Sequence, residues 1–179
     1  MTIYLIRHGK TEANEKHLYC GSTDLPLSDA GREELSKLRY DIKNIRFLTS
    51  GRSRTNETLQ ILFGDVPYAV DPRFREVDFG IFEMHSYEEL KDTPSYQEWL
   101  TGNNDTNIPS NGESGAQMRE RVLAAFSEIR EDACIITHGG CIAAIMEHLF
   151  PNENKNRYEW QPKNGCGYVI RNNSYEVIP

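Results

Sequence analysis

The feature that most constrains this chain occurs twice. A short apolar run stops abruptly at a histidine followed by glycine: IYLI, Ile3 to Ile6, runs into Arg7-His8-Gly9, and ACIIT, Ala133 to Thr137, runs into His138-Gly139-Gly140. Runs this short, apolar throughout rather than alternating, fit strands covered on both faces, as in a mainly parallel sheet between helical layers. Such a sheet needs helices as crossovers, and the rest of the chain supplies them.

PLSDAGREELSKLRYDI reads as a helix started near Ser28, with Leu35 and Leu38 on its apolar face, followed by a strand at Arg46 to Thr49. SRTNETLQILFG reads as a helix capped near Ser53 and closed by Gly64, and PYAVD as another brief strand. Ser86 and Glu89 stand at capping-box spacing, and Thr93-Pro94 opens an aromatic helical segment. These two segments and the polar stretch TGNNDTNIPSNG, read as loop, form a helical insertion over about residues 86–111 in a single domain, residues 1–179. Ser114 and Gln117 open a helix carrying Met118, Val122, Ala125, Phe126 and Ile129 on one face, CIAAIMEHLF follows the second histidine turn as an apolar helix, and GYVIRN with YEVIP reads as a closing hairpin. The alternation gives an α/β fold of three layers, with a mostly parallel central sheet and helices on both faces.

Composition removes several classes of function. Twenty Lys and Arg against 27 Asp and Glu give a net charge of −7, the opposite of a nucleic-acid-binding footprint. No apolar run approaches the length of a membrane span and MTIYLI has no basic leader, so a cytoplasmic protein with no membrane partner is expected. Cys20, Cys134, Cys141 and Cys166 include no C-x-x-C pair and read as free thiols, Cys134 and Cys141 as packing residues. No metal and no cofactor are expected.

Ligands of open α/β sheets gather beyond the carboxyl ends of the strands. If the two histidine-ended strands are neighbours, His8 and His138 share one crevice with Arg7, and such a site suits an anion. Phosphate matches the guanidinium fork, and Gly139-Gly140 at a helix N-terminus offers it backbone N–H groups.

The triplet Arg7 to Gly9, with Thr11 and Asn14 behind it, resembles the signature of the histidine phosphatase superfamily, the phosphoglycerate mutase-like family. TSGRSRTNETL, FREVDFG, NGESGAQMRERV and THGG resemble its further segments in the family's order and span almost the whole chain. The resemblance implies the phosphoglycerate mutase-like fold, with His8 as the phosphorylated nucleophile, Arg7, Arg54 and His138 around the phosphoryl group, and Glu76 as proton donor and acceptor. It further implies that Thr11, Asn14, Cys20 and Gly21 contact phosphate or substrate. For attack, His8 must present a neutral ring nitrogen, so its other nitrogen is expected to donate to a backbone carbonyl, whereas His138 is expected to serve as a cation.

Read without the resemblance, Arg52 is an alternative to Arg54, Asp78 a rival to Glu76, and Arg121 a salt-bridge residue. His17, His85 and His148 match no motif. The implied function is a metal-independent phosphomonoesterase acting on a small phosphorylated substrate through phosphohistidine. The alternatives are mutase-type phosphoryl transfer and a non-catalytic module that binds a phosphorylated ligand. YCGSTDLPLSDAG resembles the corresponding stretch of alpha-ribazole phosphatases, which makes alpha-ribazole 5′-phosphate the specific substrate expected. Two positions depart from the family pattern: Gly51 stands where many members have proline, and Met84 where they have glycine.

Overall fold

In the computed structural model, which describes residues 1–103 and 105–179, the histidine-ended strands lie side by side. Strand β1, Thr2–Arg7, leads through the short helix α1, Glu12–Glu15, and helix α2, Asp29–Ser36, to β2, Arg46–Thr49. Helix α3, Ser53–Phe63, precedes β3, Tyr68–Val70, and the short helices α4, Tyr87–Leu90, and α5, Pro94–Leu100, follow. Helix α6, Gly115–Ser127, strand β4, Ala133–Thr137, and helix α7, Gly139–Leu149, lead to the terminal strands β5, Gly167–Arg171, and β6, Ser174–Ile178. The sheet runs β3-β2-β4-β1-β5-β6. The first four are parallel, and β5 and β6 complete one edge antiparallel.

Because side chains alternate across a strand, each central strand feeds two cores. Ile3, Leu5 and Ile135 join Met118 and Val122 of α6 and Ile142 of α7 on one face. Ile6, Cys134 and Ile136 join Phe47 and Leu59 on the other, where α3 packs. All three layers are present. A smaller aromatic cluster around Phe82, Tyr96 and Trp99 forms under α4 and α5.

Local chemistry accounts for most boundaries. Ser114 and Gln117 form the capping box of α6, and Ser86 with Glu89 that of α4. Gly64 closes α3 at φ 75°, and Asn172 and Asn173 make the β5–β6 turn at φ 51° and 58°. Two readings need correction. The helix begun at Ser28 ends at Ser36, because the Lys37 and Leu38 N–H groups turn back to Glu34 and Leu35, and the Tyr40 hydroxyl is drawn to the Gly165 carbonyl. Helix α3 takes Arg52, not Ser53, as its N-cap, while Ser53 spends its N–H and hydroxyl on Asp24. Asn104, within the stretch read as loop, lies outside the described residues.

Ile135, wholly buried in the strand between β1 and β2, tests the central layer. Ile135→Ala should cost about 2–5 kcal/mol in denaturant unfolding. A loss under about 1 kcal/mol would mean that the sheet is not packed from both sides as described.

Candidate active site

Parallel pairing of β1 with β4 sets Arg7 opposite Thr137, so the next residue of each strand is a histidine. The His8 and His138 ring centroids lie 5.1 Å apart. Both rings are buried.

The two imidazoles are held differently. His8 Nδ1 lies 2.7 Å from the Gly9 carbonyl oxygen, which makes Nδ1 the protonated nitrogen and leaves the Nε2 lone pair free. This is the backbone contact expected of a nucleophile. His138 Nδ1 accepts from Arg54 Nε at 3.4 Å, so Nε2–H donates to Ser50 Oγ at 2.8 Å. Burial, then the charges of Arg54 and Arg7, hold His8 well below the ordinary histidine range, against a weaker opposing pull from its Gly9 bond. Burial, then Arg54 and lesser contributions from His8, Arg52 and Arg7, do the same to His138. The expectation that His138 is a cation is therefore corrected for the free protein: both rings are neutral, since a proton on either would be desolvated beside fixed positive charge.

The arginines carry that charge. Arg54 is 1% exposed, and its Nη1 and Nη2 donate at 2.8 Å to the Thr23 and Gly21 carbonyls. Arg7 donates to the Pro162 carbonyl at 2.9 Å, and its Nε is buried without an acceptor. Neither forms a salt bridge among the described residues. Two guanidinium groups are thus held by backbone carbonyls and one ring nitrogen, with no bonded carboxylate among the described residues, around two neutral imidazoles, an arrangement that a dianion would complete.

Glu76 reaches this crevice from the loop after β3. Its Oε2 accepts the Gly140 N–H at 2.9 Å, and Oε1 accepts the Val77 N–H at 3.0 Å. Gly140 is thereby corrected from a phosphate cradle to an anchor for Glu76. A Cβ there would meet Glu76 Oε1 at 2.3 Å, and one at Gly139 would stand 3.3 Å from Arg7 Cζ, so the glycines admit both side chains to the turn. The Gly139 N–H has no acceptor among the described residues.

Gly21 is also corrected. Its N–H donates to both oxygens of Glu83, and a Cβ would strike the Val77 carbonyl, so it builds the wall of the site. The Cys20 thiol turns to the Thr23 carbonyl at 3.6 Å, and burial raises its pKa. Thr11 and Asn14 form the capping box of α1, and the Asn14 side-chain carbonyl accepts from Thr11 N–H and Oγ1. Arg121 forms its salt bridge with Glu113 and also grips the carbonyls of Arg73, Arg75 and Glu76.

Glu83 is the residue that sequence reasoning missed. Its carboxylate collects the N–H groups of Gly21, Ser22 and Thr23, the Thr23 hydroxyl and the Phe79 N–H. The carbonyls of the loop so fixed are those that hold Arg54. Gly51 has φ 81° and Met84 φ 62°. Proline could not adopt the first, and glycine would take the second without strain, so both departures are adjustments of backbone.

A family model described as the histidine phosphatase superfamily, branch 1, matches residues 3–177. The chain belongs to this superfamily, and is an enzyme of the phosphatase type. A Salmonella typhimurium relative named adenosylcobalamin/alpha-ribazole phosphatase is 29% identical, over 95% of this chain and 90% of its own length. A Yersinia enterocolitica protein provisionally assigned as a phosphoglycerate mutase is 27% identical, over 87% of this chain and 79% of its own. Among solved structures, an Escherichia coli protein provisionally assigned as an alpha-ribazole-5′-P phosphatase superposes with a TM-score of 0.84 at 26% identity, covering 99% of this chain and 94% of that one.

Neutral His8 and His138 have a consequence for stability. The unfolded chain protonates them near pH 6.5 while the folded protein resists, so the folded state loses ground as pH falls from about 6.5 toward the lowered native values. The urea midpoint should fall between pH 6.5 and 5, and a protein carrying both His8→Gln and His138→Gln should lose less over the same interval. An equal slope in the two proteins would contradict the assignment.

Proposed function

We propose that this enzyme hydrolyses small phosphomonoesters through a phosphohistidine at His8. The observation that carries the reading is the free Nε2 lone pair of His8, its Nδ1 proton fixed on the Gly9 carbonyl, at the centre of Arg7, Arg54 and His138. Nε2 attacks phosphorus in line, an N–P bond forms, and the P–O bond to the alcohol breaks. Arg7, Arg54 and the Gly139 N–H take the equatorial oxygens, which supplies the charge neutralisation that phosphoryl transfer mainly requires. Thr11, Asn14 and Cys20 enter this reading as lesser contacts to phosphate or substrate, on their place in the motif alone.

Glu76 gives its proton to the departing alkoxide, then takes one from the water that attacks phosphorus, and His8 leaves with the N–P electron pair. His138 is neutral in the free protein, and the arriving dianion offsets the positive charge that keeps it so. In the complex, once Arg54 Nε turns from His138 Nδ1 to the phosphate, that nitrogen can accept a proton and the ring joins the arginines. Alpha-ribazole 5′-phosphate, the ester suggested by the relatives' names and by YCGSTDLPLSDAG, enters the substrate panel as its ester of a neutral alcohol.

The test is turnover of a chromogenic phosphomonoester in the presence of chelator, with rapid quench of radiolabelled substrate. An acid-labile, base-stable label should appear on His8, and His8→Ala should abolish it and reduce turnover by at least about a thousand-fold. Metal-dependent turnover that survives His8→Ala would overturn the reading, and return of the label to alcohol rather than water would make the enzyme a mutase.

In kcat/KM, which reports phosphoryl transfer to His8 and not the later hydrolysis, Glu76→Gln should slow esters of poorly leaving alcohols by about 100-fold or more, while sparing activated aryl esters. Equal losses for both would remove Glu76 from the proton-transfer role.

A further inference from the structure

Beside Glu76 lies a cleft of about 280 Å³ whose lining includes Ser22, Arg52, Arg75, Asp78, Glu113 and Arg121. Its acids are already engaged. Glu76 accepts from Val77 and Gly140, Asp78 from the Ser22 hydroxyl and the Gly80 N–H, and Glu113 from Arg121 and the Asp78 N–H.

Two of its cations are not. Arg52 and Arg75 are the only arginines whose side chains make no hydrogen bond and no salt bridge among the described residues, and both line this one cleft. The other arginines hold either a carboxylate or a backbone carbonyl. Arg52 Nε is moreover buried without an acceptor, an arrangement that leaves a desolvated donor unmet. Its charge is felt at His138, Arg54 and Cys20, which places the guanidinium at the border of the phosphate crevice.

The alcohol must leave beside the group that protonates it, and the cleft adjoins that group. We propose that the cleft receives the alcohol part of the substrate and that Arg52 and Arg75 bind a second negative charge on it. The preferred substrates are then phosphomonoesters of acidic alcohols rather than of neutral ones. The proposal rests on hydrolysis at His8 with Glu76 as the acid, and it narrows the substrate class away from neutral nucleosides such as alpha-ribazole. Paired guanidinium forks suit a carboxylate or a second phosphate alike, through charge-assisted and bidentate bonds.

Two matched pairs separate those sources: 3-phosphoglycerate against glycerol 3-phosphate for a carboxylate, and fructose 1,6-bisphosphate against fructose 6-phosphate for a phosphate. Dissociation constants are measured calorimetrically on His8→Ala protein, which binds without turnover, and kcat/KM on the intact enzyme. In at least one pair the acidic member should be favoured by about ten-fold or more, the scale of one hydrogen bond to a charged group. Joint substitution of Arg52→Gln and Arg75→Gln should bring that preference close to unity, and Arg52→Lys should recover part of it. Equal affinity within both pairs, or a preference that persists in the doubly substituted protein, would overturn the proposal. Failure of the hydrolase reading would show itself separately, as absence of label on His8, and the calorimetric comparison would still decide whether the cleft binds a second anion.

Discussion

Arg54 is buried and bonded to no carboxylate among the described residues, and the site is organised around that fact. A guanidinium removed from water is costly unless its donors are met, and here they are met by the carbonyls of Gly21 and Thr23 and by a ring nitrogen of His138. Those contacts satisfy hydrogen bonds without cancelling the charge. The crevice is left electropositive inside a protein whose net charge is −7. Burial and that same charge keep His8 and His138 neutral, so in the proposed reaction the cation that attracts a phosphate also preserves the lone pair that attacks it.

Glu83 gives that arrangement its rigidity. Its carboxylate gathers the N–H groups of the loop from Gly21 to Thr23, which leaves the loop carbonyls directed at Arg54. Gly140 performs a comparable service for Glu76, and Arg121 secures the backbone on which Glu76 stands. The side chains of the site come from the ends of β1 and β4, the first turn of α3 and the loop after β3, and all but the His8 ring, held by neighbouring Gly9, are fixed by partners distant in sequence.

That distance explains what could be read in advance. The strands ending at Arg7 and Thr137 were legible because continuous apolar runs have few other uses, and the caps at Ser86 and Ser114 because both halves of each box lie within four residues. The end of α2 at Ser36 was not legible, because helical spacing continues to Leu38 while the chain is drawn off by the segment around Gly165. At the site, His8, Arg7, Arg54, Glu76 and His138 were found by motif and meet in the fold. The tasks of Gly21 and Gly140 were misread because their N–H partners lie about 60 residues away. The neutrality of His138 follows from burial beside Arg54, which no local pattern of residues records.

The most direct test of this account is nitrogen NMR of the histidine rings across a pH titration, with and without inorganic phosphate. The free protein should show His8 protonated at Nδ1 and His138 at Nε2, both uncharged well below pH 6.5, and phosphate should raise the pH at which His138 gains its second proton. Two rings that titrate near 6.5 in the free protein and do not respond to phosphate would contradict it.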